Sequence, residues 1–216
     1  MGVSGDAPAR QIADAVAATR RGELIVIPTD TVYGVGTRPD DPSATARVFE
    51  AKRRRRSLEL PVLVPSIASA REIAVFQAVA ERLARASWPG GLTLVLPRRG
   101  PASSWDLGGD PDTIGLRMPS NALARAVLDH AGPLAVTSAN LSGEPPATTC
   151  DELRASFGDA VSVYLCVEGP LEGPSSTVVD LAHGAPRIVR AGAVAPDAIA
   201  RSLPRGEALL DSRPSP

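Results

Sequence analysis

A chain of 216 residues, 44% hydrophobic and 22% charged, has the composition of an ordinary soluble globular protein and is long enough for one substantial core. A formal net charge of −1 and an aromatic content of 3% exclude a broadly basic or base-stacking nucleic-acid binder, so any attraction to polyanions must be local. The opening MGVSGDAPARQ has no apolar signal core and no apolar run nears the ~20 residues that span a bilayer, so the expectation is a cytoplasmic protein with no membrane contact.

Over residues 8–20, Ile12, Ala13, Val16 and Ala17 share one helical face, and Gly22 stands where that helix ends. The run Leu24 to Ile27 reads as a buried strand that stops at Pro28-Thr29-Asp30-Thr31, and polar groups at the end of a buried strand mark ligand sites in α/β proteins. Tyr33, Gly34 and Gly36 suit a tight loop. Asp41 then caps a helix with Pro42 in its first turn, which carries Val48 and Ala51 inward and delivers Lys52 to Arg56 at its C-terminal end. Five cations in a row, next to a strand from Leu60 to Val64, form a candidate anion site.

Helical spacing continues from Pro65-Ser66 to Phe76 and from Gln77 to Ser87, and Pro89-Gly90-Gly91 separates these helices from a strand over Leu92–Leu96. Residues 100–112, rich in Gly, Pro, Ser and Asp, read as a mobile excursion. The alternation of Thr113 to Pro119 puts Thr113, Gly115 and Arg117 on one face of a strand. Ser120 is the expected cap of a helix bearing Leu123, Ala124, Val127 and Leu128, and the strand Leu134 to Val136 ends in a second polar cluster, Thr137-Ser138-Ala139-Asn140. There follow a helix over Asp151–Phe157 with Thr149 as its cap, a strand over Val161–Val167, a pair of strands at Ser176–Leu181 and Arg187–Arg190 around Gly184, and a helix over Pro196–Leu203. The fold class is α/β, an open twisted mixed sheet flanked by helices, as a single domain over 1–206 with a flexible tail over 207–216. Cys150 and Cys166 lack neighbouring ligands and are expected to be two reduced thiols rather than a disulfide or a metal site.

No G-x-x-x-x-G-K-[ST] loop and no G-x-G-x-x-G is present, and His130 and His183 read as surface residues rather than catalytic ones. Side-chain cations are the remaining route to phosphate: Lys52 and Arg54 point to one side if the segment is extended, the alternative being a solvated basic helix end. Arg117 can grip a carboxylate with two N–H groups. Ser138, Asn140 and Ser176 singly suit turn chemistry, and together, at separate strand ends, they favour a site.

Thr29-Asp30-Thr31-Val32-Tyr33-Gly34, Lys52-x-Arg54, Ser138-Ala139-Asn140 and Ser176-Thr177, in that order, resemble the YrdC-like family of threonylcarbamoyl-AMP synthases from about Leu24 to Gly192. The resemblance implies an open α/β sheet with a broad concave face and a nucleotidyltransferase that makes threonylcarbamoyl-AMP and pyrophosphate from ATP, L-threonine and bicarbonate for tRNA modification. It implies that Thr31, Arg117, Ser138 and Ser176 contact threonine, and that Thr113, Asn140, Thr148 and Arg190 join Lys52 and Arg54 around ATP, with Lys52 and Arg54 as the catalytic cations. Magnesium would be carried by the triphosphate with no protein metal site, and a threonylcarbamoyl transferase complex acting on tRNA would take the product. The chain departs from the family pattern at Arg55 and Glu59, where prolines are usual, and at Leu63, where a histidine often touches threonine, which keeps another small amine open as substrate. A competing class is a non-catalytic module that binds double-stranded RNA or tRNA through Arg53 to Arg56, Arg98 and Arg99.

Overall fold

The structure is a computed structural model and describes residues 6–204 and 206–210. Its elements in chain order are α1 (Asp6–Arg20), β1 (Ile25–Pro28), β2 (Tyr33–Thr37), α2 (Pro42–Ala51), β3 (Val62–Leu63), α3 (Ile67–Ile73), α4 (Ala78–Ser87), β4 (Leu92–Pro97), β5 (Thr113–Arg117), α5 (Ala122–Ala131), β6 (Leu134–Ser138), α6 (Cys150–Phe157), β7 (Val163–Tyr164), β8 (Thr177–Asp180), β9 (Arg187–Arg190) and α7 (Pro196–Ser202). Among the described residues nine strands make one mixed sheet in the order β7-β1-β2-β6-β3-β5-β4-β8-β9. Helices cover it as the alternating apolar pattern requires: Ile25 and Ile27 pack with Val16, Val127 and Leu128 of α1 and α5, while Val26 faces the larger core with Val48, Phe49 and Leu83. No helix among the described residues is long and apolar enough to cross a membrane.

The expected loop at Tyr33–Gly36 is a strand. It pairs antiparallel with β1, Ile27 opposite Gly34, and with β6, Gly36 opposite Val136. The glycines serve close packing rather than a turn, because a Cβ on Gly34 would come within 2.4 Å of Val136 Cγ1 and one on Gly36 within 2.1 Å of the Ala135 carbonyl.

Asp41 does cap α2, its Oδ1 accepting from Ser43 N at 2.8 Å, but the helix stops at Ala51 and does not carry the cations. Arg53 N donates to Glu50 O and Arg54 N to Phe49 O, with Arg53 left-handed at φ 50°. This is the two-bond Schellman ending, with an arginine where glycine is usual, and the missing glycine hid it. The turn aims Arg54 back toward the sheet.

Other boundaries shift for local reasons. Asn121, not Ser120, caps α5, its Oδ1 accepting from Leu123 N and Ala124 N, while Ser120 N donates to Asp30 Oδ1. The strands expected at Leu60–Val64 and Val161–Val167 shrink to Val62–Leu63 and Val163–Tyr164. The excursion at 100–112 is packed rather than loose: Ala102 and Leu107 are fully buried, and Leu60 N donates to Leu107 O. At the C-terminal end Ile188 N donates to Leu210 O and Leu210 N to Pro186 O, so the chain is tied to β9 through Leu210, and the part of the expected tail from 211 lies outside the described residues.

Cys150 and Cys166 are not free thiols; they form a disulfide with Cα atoms 5.9 Å apart. The spacing of 16 residues conceals this, because α6 runs out and β7 returns, bringing the start of the helix beside the end of the strand. Thr149 caps α6 in a reciprocal capping box with Glu152.

Candidate functional site

The ends of β1, β5 and β6, the start of β8 and the turn after α2 surround one cavity of about 220 Å³. Sites that bury drug-sized ligands whole hold ~300–1,000 Å³, so a small acid fits inside and a larger ligand extends through the mouth.

At one end lies Arg117, whose side chain is 8% exposed. Its Nη1 donates to Thr31 Oγ1 at 2.8 Å, its Nε donates to Gly90 O at 2.9 Å, and its Nη2 pairs with Asp30 Oδ1 at 2.8 Å, at an angle that makes this last contact an ion pair without a hydrogen bond. Burial pushes the guanidinium's pKa down, Asp30 opposes that, and Arg190's charge lowers it further. The plane of the fork is thus fixed from two sides. Thr31 Oγ1 also meets Thr29 Oγ1 at 3.0 Å.

The other end holds Arg54, and Arg190 stands between, its charge acting on both Arg54 and Arg117; neither Arg54 nor Arg190 has a carboxylate partner among the described residues. Arg54 Nε donates to Leu58 O at 3.2 Å and its Nη2 to Glu59 O at 3.0 Å. Arg190 Nε and Nη2 donate to Ser176 O, and Nη2 also reaches Ser176 Oγ at 2.9 Å. Burial lowers both pKa values, and Arg190's charge lowers Arg54's further. Two cations that repel each other across a cavity and bond only to neutral oxygens are arranged for an anion. Ser176 Oγ lies 2.9 Å from Thr93 Oγ1, linking Arg190 to the floor.

Lys52 stands behind the wall, 1% exposed. Its Nζ donates to Ser138 O, to Asn140 O at 2.6 Å and to Asn140 Oδ1 at 3.3 Å, which occupies all three ammonium donors. Burial, with Arg54's charge, presses its pKa to about 7, and the three acceptors work in the opposite direction. Lys52 therefore shapes the turn that presents Ser138, whose Oγ donates to Asn140 Oδ1 at 2.6 Å.

Of the expected site residues, the cavity wall brings together Thr31, Arg54, Arg117, Ser138, Ser176 and Arg190. Lys52, Thr113, Asn140 and Thr148 are not on it. Thr148 is turned into the α6 cap, its N donating to Glu152 Oε2 at 2.8 Å, and Thr113 opens β5 beside Pro97. Tyr33 is on the wall, fully buried, its hydroxyl accepting from Val167 N at 3.1 Å. The wall also carries Thr93, Glu59 and Thr29, which were not among the expected contacts. Thr93 alternates inward on β4, a signal its strand pattern held, whereas Glu59 was visible only as a departure from a proline. Among the arginines of the imagined nucleic-acid groove, Arg98 is 4% exposed and Arg56 pairs with Asp106 while lying over the Phe49 ring. No group of three or more His, Cys, Asp or Glu suited to a metal occurs among the described residues.

A family model described as "Telomere recombination", for Sua5, YciO and YrdC, matches residues 17–192. A Mycobacterium leprae protein is 43% identical over 199 residues, covering 92% of this chain and 90% of that protein. The threonylcarbamoyl-AMP synthase of Chromohalobacter salexigens is 37% identical over 180 residues, covering 82% and 95%. Among solved structures, Pyrococcus abyssi Sua5 complexed with L-threonine matches with a TM-score of 0.82 at 30% identity, covering 94% of this chain, which spans 59% of that longer one. Escherichia coli YciO matches with a TM-score of 0.78 at 27% identity, covering 88% and 93%.

Proposed function

Because the chain belongs to the Sua5/YciO/YrdC family, we propose that it is a threonylcarbamoyl-AMP synthase, converting ATP, L-threonine and bicarbonate into threonylcarbamoyl-AMP and pyrophosphate. The observation that carries this reading is the division of one cavity between a neutralised, oriented guanidinium (Arg117) and a pair of cations without an acid (Arg54 and Arg190). That is the complement of a small amino acid joined to a polyphosphate.

Two of the five Arg117 N–H groups are donated to Thr31 and Gly90, while Asp30 balances the charge without taking a hydrogen bond, leaving enough donors for the carboxylate of threonine. The hydroxyls of Thr31, Ser138 and Ser176 surround the space beside it and suit its amine and hydroxyl. The amine attacks the carbon of bicarbonate, water leaves, and a carbamate results. A carbamate oxygen then attacks the α-phosphorus of ATP, and the bond to the bridging oxygen breaks to release pyrophosphate. The protein's share is to hold these groups in line and to neutralise phosphate charge with Arg54 and Arg190, so positioning and electrostatics supply the rate. Lys52, Asn140 and Thr148 support the reading from behind, by holding the loops that carry the wall. Magnesium would arrive on the triphosphate, since the cavity supplies arginines and hydroxyls rather than a carboxylate cage. A product whose carbamoyl group is activated as an adenylate calls for a transferase that passes it to tRNA, and ATP and tRNA together point to the cytoplasm.

The test is pyrophosphate release from ATP and bicarbonate with each amino acid in turn. Release that depends on threonine is expected; release that ignores the amino acid, or prefers another one, overturns the assignment.

A further inference from the structure

Glu59 is the sole carboxylate among the described residues that line the cavity. Its side chain is 19% exposed, and Oε1 is buried with no hydrogen-bond partner among the described residues. The nearest cation, Arg98 Nη2, stays 3.6 Å away. That guanidinium is committed elsewhere, donating to the carbonyls of Thr113, Trp105, Ala102 and Asp110, so it clamps the 100–112 segment rather than serving Glu59. Burial outweighs Arg98 and raises the carboxyl to about 7. A buried acceptor left unserved on a cavity wall is costly unless a ligand completes it.

The sheet register says which part of a ligand this would be. Strand β3 runs parallel to β5 with Leu63 opposite Arg117 and Val62 opposite Leu116. Glu59 lies four residues before Leu63 in the chain, and its carboxyl reaches the Gly115 amide, two residues before Arg117 on β5. The wall that Glu59 shares carries Pro61, Val95 and Val178, together with Arg54, whose Nη2 donates to Glu59's own carbonyl. An acceptor next to the phosphate cation Arg54 and set back from Arg117 meets the group next to the α-phosphate. In ATP that group is the ribose, and its hydroxyls are donors. Resting on the reaction proposed above, the geometry points to Glu59 as a specificity residue that accepts hydrogen bonds from the ribose hydroxyls of ATP. A carboxylate that takes ribose hydroxyls is a known solution in other nucleotide folds.

The experiment is calorimetric titration of wild type, Glu59→Ala and Glu59→Gln with three probes: ATP, 2′,3′-dideoxy-ATP and the triphosphate of purine riboside, which lacks the 6-amino group. Wild type is expected to favour ATP over the dideoxy analogue ~10-fold or more, because a site built around a hydroxyl rejects the ligand without it. In Glu59→Ala that preference should fall to within about twofold, with threonine affinity and the preference over the desamino analogue unchanged. Glu59→Gln, which keeps the shape of the wall but loses the charge, should lose at least about threefold of the sugar preference. A sugar preference that survives both substitutions overturns the assignment, as does loss of the desamino preference in its place, which would move Glu59 to the base. Wild-type turnover with an unchanged sugar preference sinks Glu59 alone. A wild type that neither binds ATP nor releases pyrophosphate sinks the reaction as well.

Discussion

The two ends of the cavity contain the same chemical group in opposite circumstances. Arg117 has an acid, a hydroxyl and a carbonyl against it, so its charge is balanced before any ligand arrives. Arg54 and Arg190 hydrogen-bond only to neutral oxygens among the described residues, and Arg190's charge lowers the proton affinity of Arg54. A balanced guanidinium selects by geometry, whereas an unbalanced pair attracts by charge, and this sorts the ligand's carboxylate from its phosphates.

The contrast breaks most visibly at the unbalanced end. Arg54→Ala is expected to lower kcat/KM for pyrophosphate release ~10³-fold, the scale of losing a charge-stabilising donor in a closed site, and steady-state assays over a range of salt would measure it. At the balanced end Arg117→Lys keeps the charge but loses the planar fork and two of its three anchors. Threonine KM should rise ~100-fold with ATP affinity little altered, and equal losses for both substrates would erase the distinction between the ends.

Glu59 extends the comparison to the stability of the empty protein. Burial raises its carboxyl from an ordinary 4.5 to about 7 in the folded chain, so the folded chain retains a proton that the unfolded chain has released within that window. Stability therefore falls as pH rises from about 4.5 to 7. Denaturation of wild type against Glu59→Gln should show that decline in wild type alone, with a ceiling of ~3 kcal/mol. Two smaller effects complete the series. Arg53→Gly should raise stability by ~1 kcal/mol, because glycine suits the left-handed end of α2, with turnover unchanged in the same assay. Thr148→Ala, off the wall and bonded to Glu152, should change ATP KM less than about twofold by the steady-state assay, as expected of a surface substitution away from the site.

Much of the architecture was legible because apolar runs and caps act locally: β1, α2's Asp41 cap, the β8–β9 pair and α7 appear where spacing puts them. What misled were features decided by distant neighbours. Gly34 and Gly36 look like a loop until β6 lies against them, and the end of α2 looks continuous because an arginine stands where a glycine would announce the stop. Arg54, Arg117 and Ser176 could be picked out by position at element ends and by family likeness. Lys52 was recognised as special, but a string of residues cannot show that its ammonium is already engaged by Ser138 and Asn140. Glu59 and the Cys150–Cys166 pair stayed hidden because burial and juxtaposition are properties of the assembled sheet.

The Cys150–Cys166 link also settles how the sheet meets its surroundings. Strand β7 is the outermost on its side and only two residues long, and the sulfur link fastens the chain just beyond it to α6. A rim this short, latched to a neighbouring helix, offers a second molecule almost no backbone to zip onto, so growth by strand addition is discouraged at that border.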